Sequence, residues 1–311
     1  MRVTVVGAGY VGLALCRRLD GLGHEVTGVR RSPAPVREAG VSAVAADVTD
    51  PETLEALPDA DAVVFAASSG GRGADAARRV FVDGLRNTIR TYADRSSPPD
   101  RLVYTSSTGV YGDHDGDWVD EDTSLDPQTE KTEVLVEAER VAVETAGEAG
   151  IDGTVARFAG LYGPERYRLS RYLEGPVTEG YLNSVHRDDA AGAVAFLLTG
   201  RSNEESGGDP RARPADHARG EVVVVADDEP VDKWSFADWL ADECGVERPD
   251  KRTKAERLAA GDLSAAARRR IQTSKRVDNA KLRGLGYDPE YPTVHEGYRA
   301  AVADHRAADD G

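Results

Sequence analysis

The sequence predicts an α/β protein in which helices cover both faces of a parallel sheet and a smaller carboxyl-terminal lobe follows. Over about the first 160 residues, apolar strand-like runs alternate with longer helical stretches, which is typical of strand–helix–strand units. The runs VTVV and AVVFAA are apolar throughout, as expected for strands that are buried on both faces. The pattern becomes irregular beyond that point, which indicates a second unit of different construction.

The predicted elements follow this alternation along the chain. Strands are predicted at residues 2–6, 25–29, 42–45, 62–66, 102–105 and 154–158, with helices near 11–20, 51–57, 72–94, 129–149 and 188–200. We therefore expect a first domain over residues 1–162 and a smaller substrate-binding lobe over 163–311. The strand-like run at 221–226 is expected to return to the first sheet, so that the two lobes interleave. Residues 201–220 have no aliphatic side chain beyond alanine and predict a mobile surface loop.

Composition limits the kinds of partner. The 311 residues carry 39 basic and 55 acidic side chains and a net charge of −16, without a basic run that would hold a nucleic acid. The excess of acidic residues and the small number of lysines have two explanations. The surface is either adapted to stay hydrated in high salt, or its charge serves ordinary solubility. Cys16 and Cys244 lie far apart in the sequence and suggest neither a disulfide framework nor a metal site.

The chain is also expected to work away from membranes. A strand-like run begins directly after Met1, so no signal peptide is expected. No apolar run reaches about 18 residues, the length that a transmembrane helix needs. We therefore expect a cytoplasmic protein that acts on a small molecule.

The segment VVGAGYVGLAL joins the first predicted strand to the first predicted helix. Its glycines, Gly7, Gly9 and Gly12, have the G-x-G-x-x-G spacing. The first permits a tight turn, the second lets a diphosphate approach the backbone, and the third lets the helix pack on the strand. Tyr10 and Val11 open the helix, whose N-terminus attracts the anion. In this context the motif predicts a Rossmann-type, dinucleotide-binding fold, and the alternative is a glycine-rich turn in an unrelated α/β protein.

The second predicted strand ends in GVRRS. A dinucleotide site that prefers NAD usually has an acidic residue here for the ribose 2′-hydroxyl. Arg30 and Arg31 occupy this position instead, and paired guanidinium groups suit a 2′-phosphate, so NADP is favoured over NAD. Two solvated arginines are the alternative in so arginine-rich a chain.

Residues after the third and fourth predicted strands complete the predicted cofactor site. Asp47, in AADVTD, either accepts a hydrogen bond from the adenine amine or caps the following helix, a role for which Asp50 is better placed. Val48, Ala66 and Ala67 lie at the same carboxyl edge of the predicted sheet, where ligands of doubly wound folds bind. We expect all three to line the site.

Six hydroxyl-bearing side chains lie in VYTSSTGVYGD, which covers the end of the fifth predicted strand. Because this is again the carboxyl edge of the sheet, the hydroxyl groups either line an active site or satisfy the amides of a turn. If they line a site, Thr108 is among the candidates for contact with substrate.

These motifs together resemble the extended short-chain dehydrogenase/reductase family, the group of NAD(P)-dependent nucleotide-sugar epimerases and dehydratases. VVGAGYVG resembles the family's glycine fingerprint and YTSSTGVYGD its strand-five motif. Later segments of the family are resembled in the same order by RFAGLYGPER, NSVHRDDAAGAV and SKRVDNAKLRGLGYDPEYPTVHEGYRA. The resemblance covers nearly the whole chain. It implies a nucleotide-sugar or related substrate whose hydroxyl or carbonyl group Ser107 polarises, with Tyr111 as the tyrosine of VYG.

The chain departs from the family at the proton-transfer pair. The family opens the helix after strand five with Tyr-x-x-x-Lys, in which the lysine lowers the pKa of the tyrosine. Aligning LVEAE with that helix puts Thr129 at the tyrosine position and Glu133 at the lysine position, and neither side chain can replace the pair. Lys131 lies two residues early, about 200° around the helix from Glu133. The chain thus resembles the atypical members of the family, which keep the cofactor fold without this pair.

Other side chains are candidates for the missing chemistry. Tyr111 is either the acid or a packed aromatic residue, and the same alternatives hold for tyrosines 162 and 167. His186 either orients the turn before the next helix or touches substrate. Arg157 and Arg166 either bind a substrate anion or form ion pairs.

Two functions follow from these residues. The leading one is an NAD(P)-binding oxidoreductase or epimerase that acts on a nucleotide sugar or a related hydroxyl or carbonyl compound. The alternative, favoured by the missing pair, is a catalytically inactive dinucleotide sensor or scaffold of the same fold. By analogy with the family, a homodimer through helices 72–94 and 129–149 is expected.

Overall fold

The computed structural model describes residues 1–71, 73–200, 214–261 and 263–309. Within these ranges the strands are β1 (Arg2–Val6), β2 (Glu25–Val29), β3 (Ser42–Val44), β4 (Ala62–Phe65), β5 (Arg101–Ser107), β6 (Trp118–Val119), β7 (Asp152–Phe158), β8 (Gly160–Tyr162), β9 (Val177–Thr178), β10 (Tyr181–Leu182), β11 (Ser184–His186), β12 (Val222–Val225), β13 (Val231–Asp232), β14 (Lys251–Arg252) and β15 (Arg276–Val277).

The helices of the same ranges are α1 (Tyr10–Gly21), α2 (Ala34–Glu38), α3 (Pro51–Leu54), α4 (Ala74–Arg78), α5 (Leu85–Ala93), α6 (Glu130–Arg140), α7 (Ala146–Glu148), α8 (Ser170–Leu173), α9 (Arg187–Thr199), α10 (Lys233–Cys244), α11 (Lys254–Ala259), α12 (Ala265–Gln272), α13 (Ala280–Gly284) and α14 (Val294–Asp309). The π-helical segments Arg79–Gly84 and Val141–Thr145 join α4 to α5 and α6 to α7, and 3₁₀ turns occupy Thr108–Tyr111 and Pro214–Ala218.

Seven strands form one parallel sheet in the order β12–β7–β5–β4–β1–β2–β3. The register aligns the middles of the central strands, with Val5 opposite Val64 and Val64 opposite Val103. Because all seven strands are parallel, their carboxyl ends share one edge of the sheet. The strand order reverses between β1 and β4, which is where ligands of doubly wound folds bind.

Helices cover both faces of this sheet. Val3 and Val5 of β1 point into a hydrophobic cluster that includes side chains of α1 and α9. Val6 points the other way, into a second cluster formed with α5 and α6. Alternate residues of a strand face opposite sides, so a strand that is buried on both sides is apolar at every position. The predicted Rossmann-type doubly wound fold is confirmed.

The two lobes interleave more than the sequence predicted. β12 pairs with β7 at the edge of the sheet, in the region where the run at 221–226 was expected to return. α9, which the prediction assigned to the second lobe, packs with α1 against the sheet instead. The short pairs β6–β15 and β8–β11 also join the two parts of the chain.

The remainder of the second lobe has its own core. A third hydrophobic cluster contains only residues from 162 onward and is rich in aromatic rings, among them Tyr172, Phe236 and Tyr298. It lies between α8, α10 and α14. No helix in the described part of the chain combines the length and the hydrophobicity needed to cross a membrane.

The predicted loop at 201–220 is only partly covered by the structure. Residues 201–213 lie outside the described residues. In the rest, Pro214–Ala218 forms a 3₁₀ turn; Ala218 is buried, whereas residues 216, 217, 219 and 220 are exposed. The hydroxyl of Thr154 in β7 donates a hydrogen bond to the Ala218 carbonyl at 2.8 Å, which ties this turn to the sheet.

Candidate active site

A cleft of about 940 Å³ lies at the carboxyl edge of the sheet. It extends from the ends of β2 and β3, past the β1–α1 turn and the end of β4, to the ends of β5 and β7. Ligand pockets in proteins commonly measure about 300–1,000 Å³, so this cleft has room for a large ligand. Its position across the reversal of strand order is the one expected for a dinucleotide.

The three glycines of the β1–α1 turn differ in their surroundings. Gly7 has a φ of 100°, and a Cβ there would lie 2.3 Å from the Ala67 amide nitrogen. A Cβ on Gly12 would lie 2.3 Å from the carbonyl oxygen of Gly7, so this glycine lets α1 pack on the turn. A Cβ on Gly9 would approach only the Gly7 carbonyl, at 3.9 Å. The space beside Gly9 is therefore open to the cleft, as a bound diphosphate requires.

The N-terminus of α1 faces the same space. Gly9 is the N-cap and provides no side chain to the first amides, which leaves them available to an anion. Most of the predicted cofactor residues line the cleft, namely Gly7, Gly9, Tyr10, Val11, Arg30, Arg31, Asp47, Val48, Ala66 and Ala67. Gly12 does not line it and acts through packing.

The cleft has a charge opposite to that of the whole chain. Among the described residues that line it, one is a carboxylate, Asp47, and five are cations: Arg30, Arg31, Arg79, Lys131 and Arg166. The whole chain has a net charge of −16. A local excess of cations in so acidic a protein indicates a site for an anionic ligand.

The two arginines after β2 both face the cleft. The Arg30 side chain donates a hydrogen bond from Nη1 to the carbonyl oxygen of Ala8 at 3.3 Å, which holds it beside the glycine turn. Ser32 also lines this end of the cleft. Guanidinium and hydroxyl groups thus occupy the place where an acidic residue would select an unphosphorylated ribose.

Asp47 had two alternative roles, and the structure excludes the capping one. Asp50 is the N-cap of α3 and accepts a hydrogen bond from the Glu52 amide at 3.2 Å. Asp47 instead accepts from the amide and the hydroxyl of Thr49, at 3.0 and 2.8 Å. These hydrogen bonds, with the nearby charge of Arg31, lower the pKa of the Asp47 carboxyl, which lies at the cleft.

Both alternatives for the strand-five hydroxyls apply to Ser107. Its Oγ accepts a hydrogen bond from the Gly109 amide at 3.1 Å and caps the 3₁₀ turn, while the residue lines the cleft. Accepting this bond uses a lone pair and keeps the hydroxyl proton for an acceptor in the cleft. Thr108 is 6% exposed and does not line the cleft, so its expected contact with substrate is wrong.

Helix α6 presents Lys131 and Leu135 to the cleft, one helical turn apart. Thr129 precedes the helix as its N-cap, with Oγ1 accepting from the Thr132 amide at 3.0 Å. Glu133 is exposed and points away from the cleft lining. Thr129 and Glu133, which the sequence placed at the family's tyrosine and lysine positions, therefore do not line the cleft. Lys131 and Leu135 do, with the same spacing of four residues.

A buried polar network lies behind this part of the cleft. Arg157 donates from Nε and Nη2 to the Glu139 carboxylate at 2.9 and 2.6 Å, and from Nη1 to the Tyr111 hydroxyl at 2.9 Å. The Ser106 hydroxyl donates to the same carboxylate at 2.6 Å. The network joins β5, α6, β7 and the 3₁₀ turn, which together carry Ser107 and the cleft face of α6.

This network corrects two predictions. Tyr111 is fully buried and does not line the cleft, and burial raises the pKa of its hydroxyl to about 12, although Arg157 opposes the shift. A phenol so enclosed cannot serve as the proton donor to a substrate in the cleft. Arg157 is 4% exposed, does not line the cleft, and donates from each of its three side-chain nitrogens to Glu139 or Tyr111, so it is not placed to bind a substrate anion.

His186 orients a helix and does not line the cleft. It is the N-cap of α9, with Nδ1 accepting from the Asp188 amide at 3.3 Å, and it is 1% exposed. Burial lowers the pKa of the imidazole to about 4. Of its two expected roles, the structural one is the one observed.

The remaining tyrosine candidates lie outside the cleft lining. Tyr162 stacks on Tyr298 with ring centroids 5.2 Å apart, and burial strongly raises the pKa of its hydroxyl. Tyr167 packs edge-on against the same ring. Both are parts of the aromatic core of the second lobe, which is the packed-aromatic alternative.

Sequence reasoning missed Lys131 as a cleft residue, although a signal was present. Lys131, Leu135 and Glu139 repeat every four residues, so all three lie on one face of the helix. The end of that face enters the buried network, and its start reaches the cleft. Arg79 was also missed, because its contribution depends on the π-helical segment that joins α4 to α5.

Comparisons with known proteins agree with this geometry. The family model described as NAD dependent epimerase/dehydratase family matches residues 3–206. YeeZ of Escherichia coli K12 is 32% identical over 210 residues, which cover 63% of this chain and 73% of YeeZ. D-erythronate dehydrogenase of Cupriavidus necator is 30% identical over 172 residues, which cover 49% of this chain and 52% of that protein.

A solved structure extends the likeness to the whole chain. A candidate NAD-dependent epimerase/dehydratase from Methylobacillus flagellatus superposes with a TM-score of 0.72 at 31% identity, and the match covers 98% of both chains. The matched family segment runs from β1 through α9 and therefore contains the glycine turn, the arginine pair, Ser107 and α6. The chain belongs to the NAD-dependent epimerase/dehydratase family.

Proposed function

We propose that the protein is an NADP(H)-preferring oxidoreductase that moves a hydride between the nicotinamide and a substrate with a hydroxyl or carbonyl group. One observation carries the proposal. A single cleft contains the glycine turn after β1, the arginine pair after β2 and the Ser107 hydroxyl at the end of β5. These are the groups that would hold a diphosphate, a 2′-phosphate and a reacting oxygen.

The residues of the cleft fit a bound dinucleotide. The open space at Gly9 and the free amides of the α1 N-terminus suit the diphosphate. Arg30 and Arg31 suit the 2′-phosphate that distinguishes NADP from NAD, because guanidinium groups bind phosphate with paired hydrogen bonds. Asp47 lies at the same end of the cleft as an acceptor for the adenine amine.

The opposite end of the cleft provides the groups for chemistry. NADP(H), when bound, supplies the hydride donor or acceptor. The Ser107 hydroxyl donates a hydrogen bond to the substrate oxygen and polarises the carbonyl. The Lys131 ammonium gives a proton to that oxygen during reduction and takes it back during oxidation. Leu135 replaces the lysine that accompanies a tyrosine in the family, so the lysine–leucine arrangement is a different solution to proton transfer.

The substrate is proposed as a nucleotide sugar or a smaller hydroxy or oxo compound. The name of the Cupriavidus necator relative describes oxidation of a hydroxy compound, D-erythronate. A chain similar to about half of such a protein is suited to chemistry at a hydroxyl or carbonyl carbon. The carboxyl-terminal lobe then selects the remainder of the substrate.

Turnover tests this function. NADPH with a panel of aldehydes, ketones, oxo acids and oxidised nucleotide sugars, and NADP⁺ with the matching alcohols, should reveal a substrate through the nicotinamide absorbance. Ser107→Ala and Lys131→Met are expected to lower kcat by about 10²-fold or more, as loss of a polarising or proton-donating group does. Glu133→Gln, on the same helix but away from the cleft, is the matched control and should leave kcat unchanged. An absorbance that stays constant for every substrate, or a loss in the control as large as in Lys131→Met, would contradict the proposal.

A second candidate function is a dinucleotide sensor without chemistry. The observation that favours it is Leu135, because an apolar side chain at this position cannot adjust the pKa of a neighbouring proton donor. A sensor predicts tight NADPH binding, and a protein partner that is retained only with the nucleotide present. In a sensor, Ser107→Ala would leave the binding of NADPH and of the protein partner intact. In an enzyme, the same substitution would remove turnover.

A further inference from the structure

Arg166 is a cleft cation that comes from a different part of the chain than the others. It lies in the loop between β8 and α8 and lines the cleft. Its guanidinium carbon lies 3.9 Å from the centroid of the Tyr10 ring. Tyr10 is the first residue of α1 and follows Gly9 directly. Arg166 is therefore held beside the helix N-terminus and the open space of the glycine turn.

The Arg166 loop is attached to this place by its backbone. The Tyr10 hydroxyl donates a hydrogen bond to the Pro164 carbonyl at 3.0 Å, so one tyrosine holds the loop with its hydroxyl and the guanidinium with its ring. Glu165 and Arg168 on either side have φ values of 67° and 55°. Non-glycine residues adopt these values at a cost, and such strain is found mainly at binding and catalytic sites.

Among the described residues, no carboxylate forms an ion pair with Arg166, which lines the cleft. The neighbouring carboxylate of Asp188 pairs with Arg187 at 2.8 Å rather than with Arg166. The Arg187 guanidinium lies 5.5 Å from the Tyr10 ring, on the same aromatic platform. An aromatic face orients a guanidinium plane without neutralising it, so the donors of Arg166 remain available to an anion.

We infer that Arg166 binds the bridging diphosphate of the dinucleotide cofactor from the carboxyl-terminal lobe, opposite the backbone amides of the α1 N-terminus. The inference rests on the proposed function, since it needs a dinucleotide in the cleft. The glycine turn and Arg166 then hold the diphosphate between them, although these two parts of the chain are far apart in sequence. Arg166 thereby becomes part of the cofactor site, and Tyr10 becomes its positioning residue.

This role predicts a pattern across ligands that separates Arg166 from the arginines after β2. NADPH and NADH share the diphosphate, so Arg166→Met should weaken both by the same factor, about tenfold for a lost charge-assisted contact at a partly exposed site. Adenosine 2′-monophosphate lacks the diphosphate and should bind the variant and the wild type equally. Arg166→Lys should show an intermediate loss, because lysine keeps the charge but not the planar fork.

The experiment is a fluorescence titration of the full-length protein with NADPH and with NADH, and a competition titration with adenosine 2′-monophosphate. Arg168→Met is the matched control, since Arg168 is exposed on the same loop but does not line the cleft. It should bind all three ligands as the wild type does. Tyr10→Leu should reproduce part of the Arg166→Met loss, because it removes the platform but not the charge.

Three results would overturn the inference. If the wild type binds NADPH and Arg166→Met binds it equally well, Arg166 does not hold the diphosphate, and a raised KM for an acidic substrate in that variant would assign it to substrate instead. If Arg166→Met also loses adenosine 2′-monophosphate, or Arg168→Met is equally impaired, the loss reflects damage to the fold. If the wild type binds neither dinucleotide, the proposed function itself fails and the inference fails with it.

Discussion

Replacement of Arg157 by Met is expected to lower the free energy of unfolding by about 3–5 kcal/mol, because it leaves a buried carboxylate without its cation. The side chains of Arg157 and Glu139 are 5% and 6% exposed. Arg157 donates two hydrogen bonds to Glu139, at 2.9 and 2.6 Å, and a third to the Tyr111 hydroxyl at 2.9 Å. Methionine has a similar length but no donor, so all three contacts are lost while the carboxylate stays buried.

A surface pair that involves the same strand provides the comparison. Asp152, the first residue of β7, lies 2.6 Å from Arg219, which follows the Pro214–Ala218 turn, and their side chains are 50% and 35% exposed. Since water screens such a pair, Arg219→Met should cost about 1 kcal/mol or less. The double variant Glu139→Leu/Arg157→Met should recover more than half of the loss of Arg157→Met, because it removes the unpaired buried charge.

Urea unfolding followed by circular dichroism measures these differences, provided that each variant unfolds in a single transition. The expected order of stability is wild type and Arg219→Met, then the double variant, then Arg157→Met. If Arg157→Met costs no more than Arg219→Met, the buried network does not hold β5, α6 and β7 together, and the physical reasoning about it is refuted.

Three further predictions concern the cleft and the second lobe. Replacing Arg30 and Arg31 together by Ala should weaken NADPH binding about tenfold or more and NADH binding little, because only NADPH carries the 2′-phosphate; equal losses in a fluorescence titration would contradict this. Gly9→Val should abolish dinucleotide binding in calorimetry without changing the urea midpoint, because its side chain would fill open space in the cleft; wild-type affinity would show that the diphosphate lies elsewhere. Burial lowers the pKa of His186 to about 4, whereas the unfolded value is about 6.5. Unfolding therefore takes up a proton between these values, so stability should fall as the pH falls from about 6.5 to 4. His186→Asn keeps a capping acceptor and should remove this part of the pH dependence, and an unchanged pH profile of stability would disprove the assignment.

The sheet and the glycine turn were predictable because their signals are local. A parallel strand covered on both faces is apolar along its whole length, so VTVV and AVVFAA mark β1 and β4 without knowledge of their neighbours. Gly7, Gly9 and Gly12 have roles that follow from backbone geometry within one turn. Helix α2 was missed because five residues are too few to show a helical period.

The candidate catalytic end was harder to predict because its residues depend on partners far along the chain. Tyr111 and Arg157 lie in family motifs, but Arg157 donates hydrogen bonds both to Tyr111 and to Glu139, and the sequence does not reveal these pairings. Thr129 does not line the cleft because α6 begins only at Glu130, so Thr129 caps the helix in an extended conformation and is not on any helix face. A prediction of the cap would have moved the cleft positions to Lys131 and Leu135.

The most direct test of the central claim is the pair of dissociation constants of the wild-type protein for NADPH and NADH, measured by the same fluorescence titration at one ionic strength. The cleft described above predicts that both bind and that NADPH binds at least about tenfold more tightly, as one charge-assisted phosphate contact implies. Tighter binding of NADH would contradict the role of Arg30 and Arg31. Absence of binding for both would contradict the assignment of the cleft as a cofactor site.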